Sequence, residues 1–315
     1  MTTHEERVVI DAKTFQEPLR TLGEAMTEKV FREGPGRLAG PRYIAEDLSM
    51  MLRYALGIYH LLFYLNADER RKGDCNWHVV DGVSAMPLVR SLIDCLYNTT
   101  AILSNPEEKG PAYRKSGLRR TLDDLKEDLQ KYGDQPDWIL YLDQRRRSTE
   151  SLIRRSGLTI QDKEPMWPTL GTFLRNKQES DAANEHQAFL KTFTHMNWRQ
   201  YSALSHGAYE AFIGSLGHVP VGSYYVTDLL PHEDRPKVDE SYEVFVTTHL
   251  GRAATVLLCM ITELQARYRF EGANIDERIC KVWNALLPLD EAKELYDGRY
   301  RNLMQDHRIS PPDEG

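Results

Sequence analysis

One long stretch without proline, residues 186–216, constrains the fold more than any other part of the chain. At 100° per residue, its mostly apolar side chains fall on one face of a helix and its strongest polar groups on the other. The mostly apolar face comprises Leu190, Phe193, Asn197, Tyr201, Leu204, Ala208 and Phe212. The opposite face comprises His195, Arg199, Ser202, His206 and Glu210. This pattern predicts one amphipathic helix that packs on a core and presents a functional surface.

Helical spacing also dominates the rest of the chain, and no stretch shows the alternation of a half-buried strand. Glycines and prolines break the pattern at 34–41 and again at 105–111, where Asn105-Pro106 is interpreted as a helix-stop signal. The segment 217–236 is rich in proline, glycine and aromatic residues. Further helices are predicted over 13–32, 42–68, 77–104, 112–132, 136–156, 168–177, 238–270, 275–287 and 290–304. We therefore expect an all-α, multi-helix bundle that forms a single domain over 1–315, with an arm or lid at 217–236 and a flexible tail at 306–315.

Composition and charge indicate which cellular compartment and which kinds of partner to expect. Residues 48–65 approach the length of a membrane span, but Arg53 and His60 lie inside them, and a charge at the bilayer centre is costly. This segment therefore predicts a core helix and no membrane partner. The net charge of -7 argues against indiscriminate nucleic-acid binding. A polar N-terminus and four scattered cysteines are typical of a cytoplasmic protein.

The sequence predicts neither a metal nor a cofactor. No histidine has a glutamate three residues before it or a second histidine four residues away, so helix-borne metal sites are not indicated. Phosphate-binding glycine loops are also missing. The acidic segment 123–128 resembles the metal motif of terpene cyclases. Arginines and lysines crowd it, however, and a solvated helix face is the simpler interpretation.

Arg199 and His206, separated by six residues on the long predicted helix, resemble the Arg-x4-6-His motif of the HEPN superfamily of helical proteins. The same spacing occurs at Arg53/His60, Arg71/His78 and, with five residues between, at Arg301/His307. The helix context favours Arg199 and His206. The resemblance implies a metal-independent ribonuclease in which the arginine holds the scissile phosphate and the histidine acts as general acid or base. It also implies a homodimer.

A second resemblance involves a neighbouring helix. Arg90-Ser-Leu-Ile-Asp94, followed later by Tyr201-x-x-Leu204-Ser205 and a histidine, is similar to a group of uncharacterised bacterial helical proteins. This likeness implies the fold more than the chemistry. In the HEPN-like ribonuclease hypothesis, Arg90 and Asp94 would support the site from a neighbouring helix, while Ser202, His195 and Glu210 would orient the substrate or tune His206. The alternative for Arg90 and Asp94 is an ordinary ion pair within one helix. Asn98 shares their helix face.

Two functions remain open. The first is a metal-independent ribonuclease, or an RNA-targeting defence or toxin-like effector. The second is a non-catalytic helical module that binds a protein or a small ligand. A concave, positively lined groove around the face that carries residues 195–210 would favour catalysis, and a flat surface would favour the module. A lipid or isoprenoid enzyme would instead need the segment 123–128 to line an apolar cavity with metal.

Overall fold

A computed structural model describes residues 10–67, 75–161, 165–175, 201, 246–272 and 274–306. Within these ranges the chain is helical and contains no strand, so the predicted all-α class is confirmed. Two described segments are π-helical: Val246–Leu250, which directly precedes an α-helix, and Tyr296–Tyr300, which lies between two α-helices. The α-helices are α1 (Ala12–Glu33), α2 (Tyr43–Ala67), α3 (Cys75–Ser104), α4 (Pro106–Tyr132), α5 (Pro136–Ser156), α6 (Leu170–Arg175), α7 (Gly251–Tyr268), α8 (Ile275–Leu286), α9 (Asp290–Leu295) and α10 (Arg301–Asp306).

The centre of the bundle is α7. All of its residues are buried except Arg252 and Arg267, because its sequence is apolar around the whole circumference. Among the described helices, those that pack most extensively around it are α1, α2, α3 and α8. Trp283 of α8 is fully buried, and its indole Nε1 donates to Thr262 Oγ1 of α7 at 3.1 Å. A helix of this composition stabilises the fold only if it is enclosed, and here its neighbours supply that enclosure.

The start of α4 corrects the prediction. Asn105-Pro106 is a helix start and not part of a break, so α4 begins six residues before the predicted position 112. Asn105 caps the helix by accepting from the Glu108 backbone N–H at 3.4 Å, and Pro106 occupies the first turn, where a missing N–H costs nothing. The acidic Glu107 and Glu108 also suit a helix N-terminus.

A second difference lies at the C-terminal end, where one helix was predicted over 290–304. The structure instead places the π-helical segment Tyr296–Tyr300 between α9 and α10. Both tyrosines of this segment lie against Trp283, with ring centroids 5.2 and 5.3 Å away. The predicted helix 238–270 is described from Val246 onward, and it begins as π-helix before α7.

The segment predicted to be a core helix rather than a membrane span is α2. Leu48, Leu52, Tyr59 and Leu62 are fully buried, while Arg53 is exposed on the opposite side. Of the helices that the structure describes, none is both long and apolar enough to cross a bilayer.

Helices α4 and α5 form a hairpin closed by a stack of Tyr132 on Trp138, with ring centroids 4.7 Å apart. Few of its side chains are buried, and Leu125, Leu142 and Thr149 are the main ones beyond the root of α4. The acidic segment 123–128 lies on this hairpin in ion pairs such as Arg119–Asp123 at 2.8 Å. It is therefore the solvated face that the sequence predicts.

Two glycines of α4 provide a matched test of the packing between α4 and α2. A Cβ added at Gly110 would lie 2.6 Å from Ile44 Cδ1 and 2.7 Å from Ile44 Cγ1, whereas one added at Gly117 meets open space. We expect Gly110→Ala to lower the free energy of unfolding by about 1–3 kcal/mol through overpacking. Gly117→Ala should raise it by about 0.5–1 kcal/mol through helix propensity. Urea unfolding measures both, and equal effects of the two variants would contradict the packing described here.

Candidate functional site

The residues predicted to be catalytic, Arg199, His206, Ser202 and His195, lie outside the described residues, as does the supporting Glu210. The same holds for the whole of the predicted arm at 217–236 and for all of the predicted tail at 306–315 except its first residue. From the long predicted helix the structure describes Tyr201. This tyrosine is fully buried, as its place on the apolar face predicts.

Tyr201 is held by a buried polar network. The Nη1 of Arg252, on α7, donates to the Tyr201 hydroxyl, and its Nε and Nη2 donate to Glu291 of α9 at 2.8 and 2.6 Å. His249 lies beside them, with its ring centroid 6.4 Å from that of Tyr201. The sequence predicts His249 and Arg252 as a pair inside the bundle, but it gives no sign of Glu291, which is 39 residues further along the chain.

The role of this network is structural. Burial, reinforced by the charge of Arg252, lowers the pKa of His249 to about 3, so the imidazole is neutral near pH 7. A histidine with this pKa is a poor general base or acid at neutral pH. Burial raises the pKa of Tyr201 despite the opposing effect of Arg252. The network therefore anchors Tyr201 to the core, and neither His249 nor Tyr201 is placed to exchange a proton near neutral pH.

Arg90 and Asp94, the predicted supporting pair, lie on α3 with Arg90 Nη2 and Asp94 Oδ2 4.0 Å apart. The ion pair within one helix is therefore present, although this separation is too long for a hydrogen bond. The Asp94 side chain keeps 38% of its surface exposed. Asp94 also lines a cleft on the surface of the bundle.

This cleft has a volume of about 430 Å³ and lies where α2, α3 and α4 meet. One wall is mostly apolar and the other polar. The apolar wall is formed by Met50, Met51 and Tyr54 of α2, with Tyr113 of α4. The polar wall is formed by Ser91, Asp94 and Asn98 of α3.

One end of the cleft is fixed by an ion pair between α4 and α2. Arg114 donates through Nε and Nη2 to the two carboxylate oxygens of Asp47, at 2.9 and 2.7 Å, and its guanidinium lies 4.2 Å from the ring centroid of Tyr43. Burial raises the pKa of Asp47, and the hydrogen bonds from Arg114 act in the opposite direction. This forked contact joins α2 and α4, the two helices of the apolar wall, and Asp47 itself lines the cleft.

The side of the cleft formed by α3 and α4 is fixed by Trp167. Its indole Nε1 donates to Asn98 Oδ1 at 2.8 Å, its backbone N–H donates to Ser116 Oγ at 2.7 Å, and its ring meets Tyr113 edge-on at 5.3 Å. These contacts orient both the Asn98 amide and the Tyr113 ring. The cleft is thus a preformed feature with oriented polar groups.

Cys95 also lines the cleft. Burial, with a further contribution from Asp94, raises the pKa of its thiol to about 12. The thiolate form is therefore rare at neutral pH, and Cys95 is not an activated nucleophile.

The sequence places Asn98 on the same face as Arg90 and Asp94, so half of the cleft could be predicted. It misses the opposite wall, because Met50 and Tyr54 belong to a nearly continuous apolar run that reads as core. In the structure each of these two side chains is 59% exposed. The sequence signal for this exposed side of α2 is the charged Arg53 next to Tyr54, because both residues are exposed in the structure.

No family model, curated protein or solved structure matches the chain. Within the ranges that the structure describes, no group of three or more histidine, cysteine, aspartate or glutamate side chains is placed to hold a metal ion. The function must therefore be argued from the geometry of the cleft and of the network at Tyr201.

The buried His249 predicts a specific pH dependence. Its pKa is lower in the folded state than the ordinary value of 6.5, so the unfolded state binds the proton more readily. The resulting stability is fully present above about pH 6.5 and is lost as the pH falls toward 3. Between about pH 7 and pH 5 we expect His249 to account for a loss of about 2 kcal/mol in the free energy of unfolding. Urea unfolding at both pH values should show a smaller loss for His249→Gln, and an equal loss would contradict this assignment.

Proposed function

We propose that the protein is a helical ligand-binding module whose binding site is the cleft between α2, α3 and α4. The observation that carries this proposal is the pairing of an exposed apolar wall with an oriented polar wall around a cavity of about 430 Å³. Cavities that hold small ligands share this volume range and this combination of apolar surface with few polar groups.

The apolar wall supports the proposal further. Met50 and Tyr54 remain 59% exposed although the adjacent Met51 is almost fully buried. Methionine adapts to irregular shapes, and tyrosine offers a flat apolar surface at a small cost in side-chain entropy. Both properties suit a surface that receives a partner molecule, and neither is needed by the core beneath.

The test uses a mixture of small aromatic and heteroaromatic fragments, observed by saturation-transfer NMR. Ser91 lines the cleft, so Ser91→Trp should fill it and abolish the signals of bound fragments. Tyr54→Ala, at an exposed position, should weaken the same signals without disturbing the core. Ser148→Trp, on an exposed position of α5, is the matched control and should leave binding unchanged. Circular dichroism checks the folding of each variant.

Fragments that bind equally to the wild type and to folded Ser91→Trp and Tyr54→Ala would place the binding site elsewhere. A wild type that binds none of the fragments would also overturn the assignment of the cleft.

We also propose a second function, metal-independent RNA cleavage by Arg199 and His206 in a homodimeric, toxin-like or defence effector. The supporting observation is the burial of Tyr201 and its bond to Arg252. On a helix, Arg199 and His206 stand about 160° and 140° around the axis from Tyr201. With Tyr201 facing the core, the helix that the sequence predicts would turn both groups outward, where a phosphate and a ribose hydroxyl can reach them.

The second proposal predicts cleavage of single-stranded RNA in the presence of EDTA. Arg199→Ala and His206→Ala should each lower the rate by about 100-fold or more, because each removes a group that acts on the reacting phosphate or proton. Arg155→Ala and His60→Ala, which change the same residue types at other positions, should retain the wild-type rate. Unchanged cleavage in both folded site variants would remove this pair from the chemistry.

A further inference from the structure

The polar wall of the cleft places an acceptor and a donor side by side. Asp94 and Asn98 are one helical turn apart on α3 and both line the cleft. Residues with this spacing have their Cβ atoms about 5–6 Å apart. A single planar ligand edge can therefore reach both side chains at once.

The orientation of the Asn98 amide is fixed by its partner. An indole N–H only donates, so the Asn98 atom that accepts from Trp167 Nε1 at 2.8 Å is the carbonyl oxygen Oδ1. The amide nitrogen, with its two N–H groups, is therefore the polar contribution that Asn98 can make to the cleft. Asn98 thus recognises an acceptor on the ligand.

Asp94 recognises donors. A carboxylate has about four acceptor positions, so Asp94 can take two parallel N–H bonds from a ligand in addition to its contacts within the protein, which include the ion pair with Arg90 at 4.0 Å. Forked contacts between a carboxylate and two parallel donors are among the stronger hydrogen bonds in proteins. The 38% exposure of the Asp94 side chain makes such an approach possible.

The opposite wall suits a flat ring. Met50, Tyr54 and Tyr113 offer one thioether and two aromatic side chains, and nucleobases stack on surfaces of this kind. The cavity of about 430 Å³ has room for a base and its ribose.

Guanine matches this arrangement better than the other nucleobases do. Its Watson–Crick edge carries, in order, the O6 acceptor, the N1–H donor and the N2 amino donor. Asn98 can donate to O6 while Asp94 accepts from N1–H and N2–H. Adenine offers one donor beside one acceptor, cytosine offers one donor beside two acceptors, and uracil flanks its single donor with two acceptors. An organic amine would satisfy Asp94 but would meet the N–H groups of Asn98.

We propose that the cleft binds a guanine base through Asp94 and Asn98, as part of a free guanine nucleotide or of single-stranded RNA. This inference rests on the proposed ligand-binding function of the cleft and names the class of ligand.

The first experiment compares guanosine, inosine, adenosine and cytidine by isothermal titration calorimetry. Inosine differs from guanosine only in lacking the N2 amino group. We expect guanosine to bind about 10-fold or more tightly than inosine, which is the effect of one lost hydrogen bond to a charged group. Adenosine and cytidine should bind more weakly than guanosine. Guanosine affinity no greater than that of inosine would overturn the proposal.

The second experiment changes the recognition group. Asp94→Asn replaces two acceptors by one acceptor and one amide donor, so it should weaken guanosine binding and strengthen binding of xanthosine, which carries an O2 acceptor in place of the amino group. A gain for xanthosine cannot come from misfolding. Asp124→Asn, at an exposed position of α4, is the matched control and should bind guanosine like the wild type. Unchanged preferences in Asp94→Asn would contradict the role of Asp94.

Guanosine monophosphate and a short uridine-rich RNA with a single guanosine distinguish the two sources of the base. Binding of the monophosphate at least as tight as that of guanosine assigns a free nucleotide, and binding of the RNA alone, sensitive to Asp94→Asn, assigns single-stranded RNA. The fragment experiment separates the two proposals. If fragments bind and Ser91→Trp blocks them while no guanine ligand binds, the cleft remains a binding site and the guanine assignment fails. If no fragment binds either, both fail.

Discussion

The enclosure of α7 is the constraint on which the rest of the bundle depends. A helix with apolar residues on every side cannot face water, so its neighbours must cover it completely. Its few charged groups then need partners, because an unpaired charge in such a place would cost several kcal/mol. Arg252 has Glu291, and Glu263, only 3% exposed, has Arg299 at 2.5 and 2.9 Å.

These two ion pairs explain how the C-terminal part of the chain is positioned. Both join α7 to residues between 291 and 299, so the last described helices are fixed against the core by charge as well as by apolar contact. A π-helical segment lies next to each ion pair. Val246–Leu250 ends two residues before Arg252, and Tyr296–Tyr300 contains Arg299. Such segments shift the register of a helix by one residue, which changes the direction of the side chains that follow.

Most helices were predictable because their evidence is local. The apolar spacing of α1, α2 and α5 and the breaks around them lie within a few residues of each helix, and their predicted limits agree with the structure. The predicted start of α4 was wrong because asparagine followed by proline indicates a helix end in one context and a helix start in another. A local sequence pattern does not distinguish a helix end from a helix start at such a dipeptide.

The candidate site was only half predictable because it depends on contacts between distant segments. The pattern places Asp94 and Asn98 on one face of α3, but Trp167, which orients Asn98, lies 69 residues away in a loop. Periodicity also shows that Met50 and Tyr54 lie in an apolar run without showing that each remains 59% exposed. For Arg199 and His206, the hypothesis from sequence stands beside a single structural observation, the buried Tyr201.

The hairpin of α4 and α5 has a consequence for how this protein can vary. Its root, with Tyr113, Arg114 and Ser116, is tied to α2, α3 and Trp167, while its outer part is held by few buried side chains. The outer part should therefore open and close at a lower free energy than the whole fold. Residues added at the turn around Gly133 would lengthen the hairpin without moving its root. The length of the hairpin and the shape of the cleft can therefore change independently of each other when the sequence changes.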